Sequence, residues 1–260
     1  MEQRLKIGLA LGSGLARGLA HIGVLKVFEE EGLKIDYIAG SSMGAVIAAL
    51  YACGVKISLM ERLAQRITRR DWMDFNFPRM GLIAGDRLEE LIYLLSGRRR
   101  IEELPLPLAV VGTDLLEGKL LVFREGSIAR TVRASCSIPG VFNPVEVEGR
   151  LVVDGGVLER VPVKAVREMG ADIAIGVDVS AITGKYGINH IFDVLLKTID
   201  IMSREVHRFK IQEANLVITP DMQEIAPFHF HLAREAIEKG EEAARKSIPV
   251  LKQLMAAKEG

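Results

Sequence analysis

Ser42 stands at the centre of a Gly-Ser-Ser-Met-Gly box, Gly40 to Gly44, between the apolar extended run "KIDYIAG" and the Ala-rich run "MGAVIAALYACG". A serine in GxSxG between a strand and a helix has the context of a nucleophile elbow. The tight turn holds it in a sparsely populated backbone conformation, and small neighbours keep its surroundings open. The dipole of the following helix would favour negative charge developing there. The competing role is an ordinary helix N-cap, which serine also favours. A cap needs neither Gly40 nor Gly44, and the box has both.

Two more glycine-marked turns could complete such chemistry. "GSGLARG", from Gly12 through Ser13, Gly14, Leu15 and Arg17 to Gly18, lies between a strand and a helix whose first amides are unpaired. Such a turn attracts negative charge, either a pyrophosphate or the oxyanion of a tetrahedral intermediate. "VVDGG" ends a strand with Asp154, Gly155 and Gly156. Asp154 is the candidate base, although an aspartate opening a plain turn is also common. A Ser-His-Asp triad would need a histidine, and none of His21, His190, His207, His229 and His231 sits in comparable turn chemistry. The pattern therefore favours a Ser-Asp pair, with no cofactor and no metal.

The elements that must hold these residues alternate short β-rich runs with helical ones, the pattern of an α/β domain on a largely parallel sheet. "KIGLALG" is a strand, "ARGLAHIGVLKVFEEEG" a helix closed by Gly32, and "MGAVIAALYACG" a buried helix. "PLAVVGTDL" and "KLLVFREG" are neighbouring strands turning at Glu117 and Gly118, and "NPVEVEGRLVVDGG" is a hairpin turning at Glu148 and Gly149. Ser127 caps a short helix through Arg133, and Asp86 with Glu89 has capping-box spacing. "NHIFDVLLKTIDIMSREVHRFKIQEA" is a long amphipathic helix, and His229 to Met255 forms one or two surface helices. The segment "RDWMDFNFPRMGLIAG", with Trp72, Phe75, Phe77, Met80, Leu82 and Ile83, reads either as core packing or as a lid or membrane-facing flap.

Composition bounds the rest. The chain has 260 residues, 49% hydrophobic and 26% charged, with a formal net charge of zero. It can bury a full core as a single domain, residues 1–260, and nothing global favours a polyanion such as nucleic acid. Arg98 to Arg100 is the only compact basic run and reads as cations near a helix end. Cys53 and Cys136 sit in small-residue contexts that suit a reducing compartment. There is neither a signal-peptide pattern nor an apolar run of the roughly 20 residues a spanning helix needs. The expectation is a cytoplasmic protein, with peripheral membrane contact left open.

The glycine loop, the early GxSxG box and the later Asp-Gly-Gly, in that order, resemble the patatin-like phospholipases, especially the small bacterial single-domain members. "LAHIGVL", "VGTDLLEGKLLVF" and "ASCSIPGVFNPVEVEGRLVVDGG" extend the resemblance from Lys6 to Asp178. It implies a three-layer α/β sandwich with a largely parallel central sheet, related to but distinct from the α/β-hydrolase fold. It also implies a serine lipid acyl hydrolase that cleaves fatty-acyl esters, as a phospholipase, lysophospholipase or carboxylesterase. Ser42 then matches the nucleophile, Asp154 the base, and the loop the oxyanion hole. Ser13, Gly14 and Leu15 line that hole, supported by Gly12, Arg17 and Gly18. The partner is a lipid or lysophospholipid ester, and the motifs select no oligomeric state. This chain departs from the family at Leu15, where a glycine often stands, and at Glu159 and Arg160, where many members carry asparagine. One alternative is a lipid-binding or scaffold protein on the same fold. A dinucleotide-binding oxidoreductase is disfavoured, because the place for its acidic reader holds "GSSMG".

Overall fold

The computed structural model describes residues 4–68, 71, 74, 80–180 and 191–259. Its main sheet is parallel through β1 (Ile7–Leu11), β2 (Tyr37–Ser41), β4 (Leu108–Asp114), β9 (Ile173–Val177) and β10 (Leu216–Ile218), in the order β10-β9-β1-β2-β4. Antiparallel strands complete it: β5 (Lys119–Phe123) and β8 (Arg150–Asp154) both pair with β4, and β7 (Val145–Val147) pairs with β8. β1 is buried along its whole length, which explains its near-continuous apolar sequence.

The two faces of the sheet are covered to different depths. Leu9, Leu11, Ile38, Val110 and Ile175 belong to the larger core, with α1 (Ala20–Glu30), α2 (Met43–Ala52), α5 (Ile128–Ser135) and α8 (Ala233–Glu259). Ala10, Ala39, Ala109 and Ala174 pack in the thinner layer with the short α6 (Val163–Glu168). Small residues are needed on that face. A Cβ on Gly8 would lie 2.7 Å from Val166 Cβ.

β4 positions the functional residues by changing partner partway along. Ser41 pairs with Val111 and Asp154 with the next residue, Gly112, so the ends of β2 and β8 are brought side by side.

Local details separate sequence logic from tertiary supply. Ser127 caps α5 as expected, accepting from the Arg130 N–H. The capping box expected at Asp86 is replaced: α4 (Asp86–Leu95) has Gly85 as N-cap, at φ 85°. The cap comes from Asp74, whose carboxylate accepts from Gly85 N–H at 2.6 Å and Asp86 N–H at 2.9 Å. In the basic run, Arg99 donates to the Cys53 carbonyl just past α2, and Arg100 pairs with Glu102. β3 (Gly81–Ile83) and β6 (Gly140–Phe142) form a second, two-stranded sheet. Buried Arg133 braces it, donating to the carbonyls of Ala84, Gly85 and Asn143 and to Ser137 Oγ. Of the segment read as core packing or a flap, Trp72, Phe75 and Phe77 lie outside the described residues, whereas Ile83 is buried in β3 and Met80 is exposed.

The tail expected as one or two surface helices is the single helix α8, and its inner face is core. Ala236, Ala244, Ile248 and Leu251 are buried. Two glycines let α8 cross α1 closely. A Cβ on Gly240 would lie 2.0 Å from Ala20 O, and one on Gly23 would lie 2.1 Å from Ile237 O. Alanine improves helix propensity by about 1 kcal/mol over glycine. Overpacking a tight contact costs about 1–3 kcal/mol. Gly240→Ala is therefore expected to lower stability despite better propensity, and urea denaturation checks the sign: a gain in stability would mean the crossing relaxes freely.

Candidate active site

Three turns converge at the C-terminal ends of β1, β2 and β8. Ser42, between β2 and α2, adopts φ 53° and ψ −123°, a strained conformation for a residue with a side chain. It precedes α2 yet makes no side-chain capping hydrogen bond, so the N-cap role does not account for it. Its N–H donates to Ser135 Oγ at 2.9 Å, and Ser135 Oγ donates in turn to Val111 O at 2.7 Å. Ser135 thus pins the elbow to β4.

The glycines of the box serve close approach. A Cβ on Gly40 would meet Ala45 Cα at 2.4 Å, and one on Gly44 would meet Leu11 O at 2.1 Å. Gly12, Gly14, Gly18, Gly155 and Gly156 are crowded in the same way, and none of the glycines in the three motifs has positive φ. The left-handed positions are Leu15, at φ 51°, and Ser42 itself.

In the first loop, the Ser13 N–H donates to Arg160 O at 2.9 Å and the Ser13 hydroxyl to Ser41 Oγ at 2.8 Å. The Ser13 amide is therefore engaged. Among the described residues no acceptor takes the N–H of Gly14 or Leu15, which begin a 3-10 turn. Arg17 is buried and holds the loop from behind, its Nε donating to Ile225 O at 2.6 Å. His21 is buried and its Nε2–H donates to Gly12 O at 2.7 Å. Burial lowers its pKa to about 4, so it is neutral at physiological pH and acts as a brace.

Asp154 ends β8 with one carboxylate oxygen accepting the Gly156 N–H at 2.7 Å. Burial pushes its carboxyl up to about 6, opposed by hydrogen bonding with Ser42 and Gly156 and by the Arg160 charge. A carboxylate so placed beside a serine can accept its proton near neutral pH.

Ser42 lines two cavities. One, open to solvent, spans about 970 Å³ including its mouth and is walled by apolar side chains including Leu19, Val46, Ile47, Leu50 and Leu91. The other, about 670 Å³, holds Ser13, Gly14, Arg17, Asp154 and Arg160. Leu15, Ser42 and Ile138 belong to both, so the cavities meet at the serine. No histidine among the described residues lines either one, and His190 lies outside the described residues. His207 instead pairs with Asp178 at 3.0 Å. Burial alone would raise Asp178, but the bond and charge of His207, with Ser180, bring it to about 2. Cys136, buried and free, faces the apolar cavity, and burial raises its thiol far above the usual range.

The structure brings Ser42, Asp154 and the loop expected from the sequence to one place, and it adds the Ser135 support, which the sequence did not suggest. Nor did the sequence suggest how α7 (Ile191–Lys210) is tied to the site. Arg160 pairs with Asp200 at 2.8 Å, Glu159 with Lys210 at 2.6 Å, and Asp178 with His207. Residues so far apart in sequence leave no local signal of these pairs.

A family described as patatin-like phospholipase matches residues 9–167. An uncharacterized NTE family protein of Mycobacterium tuberculosis is 39% identical over 178 residues, 67% of this chain and 49% of that protein. The lysophospholipase NTE1 of Coccidioides immitis is 35% identical over 182 residues, 68% of this chain and 12% of that protein. The chain thus spans about half the length, or less, of these relatives. Among solved structures, VipD of Legionella pneumophila aligns with a TM-score of 0.66 at 13% identity, over 94% of this chain and 66% of that one, a likeness of fold.

The raised Asp154 carboxyl carries a stability consequence of definite sign. With an ordinary value of 3.8 and a folded value of about 6, the unfolded chain ionises first as pH rises. The stability contributed by the neutral form is complete below about pH 4 and is lost as pH passes through about 6. Asp154→Asn, neutral throughout, is expected to be more stable than the parent at pH 8, by on the order of 3 kcal/mol at most, and equal to it near pH 4. Urea unfolding at both pH values checks this, and a variant no more stable at pH 8 would contradict it.

Proposed function

Starting from the chain's membership of the patatin-like phospholipase family, we propose that it is a serine lipid acyl hydrolase working through a Ser42–Asp154 dyad. The observation that carries the reading is the meeting at Ser42 of an almost wholly apolar cavity and a second, more polar one that also contains Asp154 and Arg160, called the polar cavity below. The apolar cavity takes the fatty-acyl chain and the polar one the leaving alcohol. Ser42 Oγ attacks the acyl carbonyl as Asp154 accepts its proton, and the Gly14 and Leu15 N–H groups stabilise the oxyanion, each worth roughly 3 kcal/mol. The leaving alcohol departs with that proton. Water, deprotonated by Asp154, then attacks the acyl-enzyme; the bond from the acyl carbon to Ser42 Oγ breaks, Oγ takes the proton back from Asp154, and the fatty acid leaves. Leu15 still supplies its amide in the left-handed conformation, so the departure from glycine leaves the donor in place.

Peripheral contact with a lipid surface belongs to the same reading. It is supported by α7, whose Leu196 and Ile199 line the polar cavity while Met202 and Phe209 are 66% and 74% exposed.

Ser42→Ala is expected to abolish both hydrolysis of a p-nitrophenyl ester and fluorophosphonate labelling, whereas Ser41→Ala keeps measurable turnover. Label found by mass spectrometry on another serine would remove the nucleophile assignment. Because the base must be ionised, kcat/KM should rise with pH through about 6 and level off above it. A rate independent of pH between 5 and 8 would count against Asp154 as the base.

A further inference from the structure

Arg160 enters the polar cavity from the segment that follows the Asp-Gly-Gly turn. Its side chain is only 10% exposed, and its bonds to described residues all leave from Nη1, to Asp200 Oδ1 at 2.8 Å and Ser203 Oγ at 2.9 Å. Nε is buried without a partner among the described residues, an uncommon state for a guanidinium donor. Asp200 does not belong to Arg160 alone, since Arg204 pairs with it at 2.7 Å. A guanidinium fixed in this way presents a rigid, permanently charged fork, the geometry that suits phosphate oxygens.

The position of that fork matters more than its charge. Arg160 lines the polar cavity with Ser42 and Asp154, and it does not line the apolar one. An ester bond held at the junction would send its chain one way and its alcohol toward Arg160. A lysophospholipid matches this division, with one acyl ester between a chain and a phosphate-bearing glycerol. A monoacylglycerol matches it in everything except the phosphate.

We propose that Arg160 is the phosphate-reading residue of the leaving-group subsite and makes the enzyme prefer acyl esters of glycerophosphate over the corresponding neutral glycerides. The proposal rests on the hydrolase reading of Ser42 and specifies its alcohol side. Arg160 touches the substrate's phosphate and takes no part in proton transfer. Its backbone carbonyl, which accepts from Ser13 N–H, is unaffected by changing the side chain.

The test compares 1-palmitoyl-lysophosphatidylcholine with 1-palmitoylglycerol. In Arg160→Gln the ratio of their kcat/KM values should fall by about tenfold or more, mainly through KM, and Arg160→Lys should recover part of it. Equal losses on the two substrates would overturn the proposal and leave Arg160 as a support for Asp154 or α7. The unmodified protein gives an arm that needs no variant: glycerol 3-phosphate should inhibit hydrolysis of p-nitrophenyl butyrate, and glycerol at the same concentration should not. Inorganic phosphate inhibiting as well as glycerol 3-phosphate would assign the site to the free anion and overturn the leaving-group role. Calorimetric binding of glycerol 3-phosphate requires no turnover. A protein inert toward every ester that still binds it, with binding lost in Arg160→Gln, would sink the hydrolase reading while keeping Arg160 as a phosphate ligand. No binding and no inhibition would sink the phosphate site.

Discussion

Backbone pressed on backbone is the constraint from which the site follows. A side chain on Gly44 would collide with the carbonyl oxygen of Leu11, the last residue of β1, so α2 can start only where glycine allows it against that strand. Similar crowding joins the third turn to the other two: a Cβ on Gly155 would meet Ser41 Oγ at 2.8 Å, and one on Gly156 would meet Ser13 Oγ at 2.5 Å. Loop, elbow and aspartate turn are thus three pieces of chain in mutual contact. Their relative positions are set by packing at the density of a protein interior, with little room for the shifts that would separate a nucleophile from its base.

Around this contact the buried polar groups divide into those that brace and those that are held ready. His21, neutral and donating to Gly12 O, fixes the loop, and Ser135 fixes the elbow. Arg133 ties the small sheet to α5 through backbone carbonyls, with Gly85 so close that a side chain there would strike the guanidinium. Asp154 differs from these. It is buried beside Ser42 with its carboxyl displaced upward, which raises its basicity and makes its ionised form costly to the fold. Stability is lost at the same atom that gains basicity.

The parts of this arrangement legible in the sequence were those encoded within a few residues. Strand-turn-helix order around Ser42, the Glu148–Gly149 hairpin with both residues at positive φ, and the Ser127 cap are each local chemistry. The three motif glycine sets were legible as tight turns, yet the reason for most of them was not: apart from Gly40, which meets Ala45, the neighbours they admit come mainly from distant parts of the chain. The Asp86 capping box failed for a similar cause, because Asp74 reached the N–H groups of Gly85 and Asp86 from outside the helix and a propensity argument does not see it. Arg160 stood out only as a departure from the expected asparagine. Its ties to Asp200 and Ser203 join residues about forty positions apart and appear only when α7 is in place.

The place of β1 in the sheet fixes when the site can exist during folding. β1 and β2 lie within the first 41 residues and pair directly, but the other edge of β1 waits for β9, at Ile173–Val177. Until that distant strand arrives, the middle of the five parallel strands is an apolar edge with open amides and carbonyls. Gly12 donates to Val177 O, so the mouth of the first loop also closes only then. Such long-range pairing makes for slow folding. The serine is thus made well before it becomes organised, in a chain that must keep β1 from pairing wrongly while the residues between β2 and β9 are added.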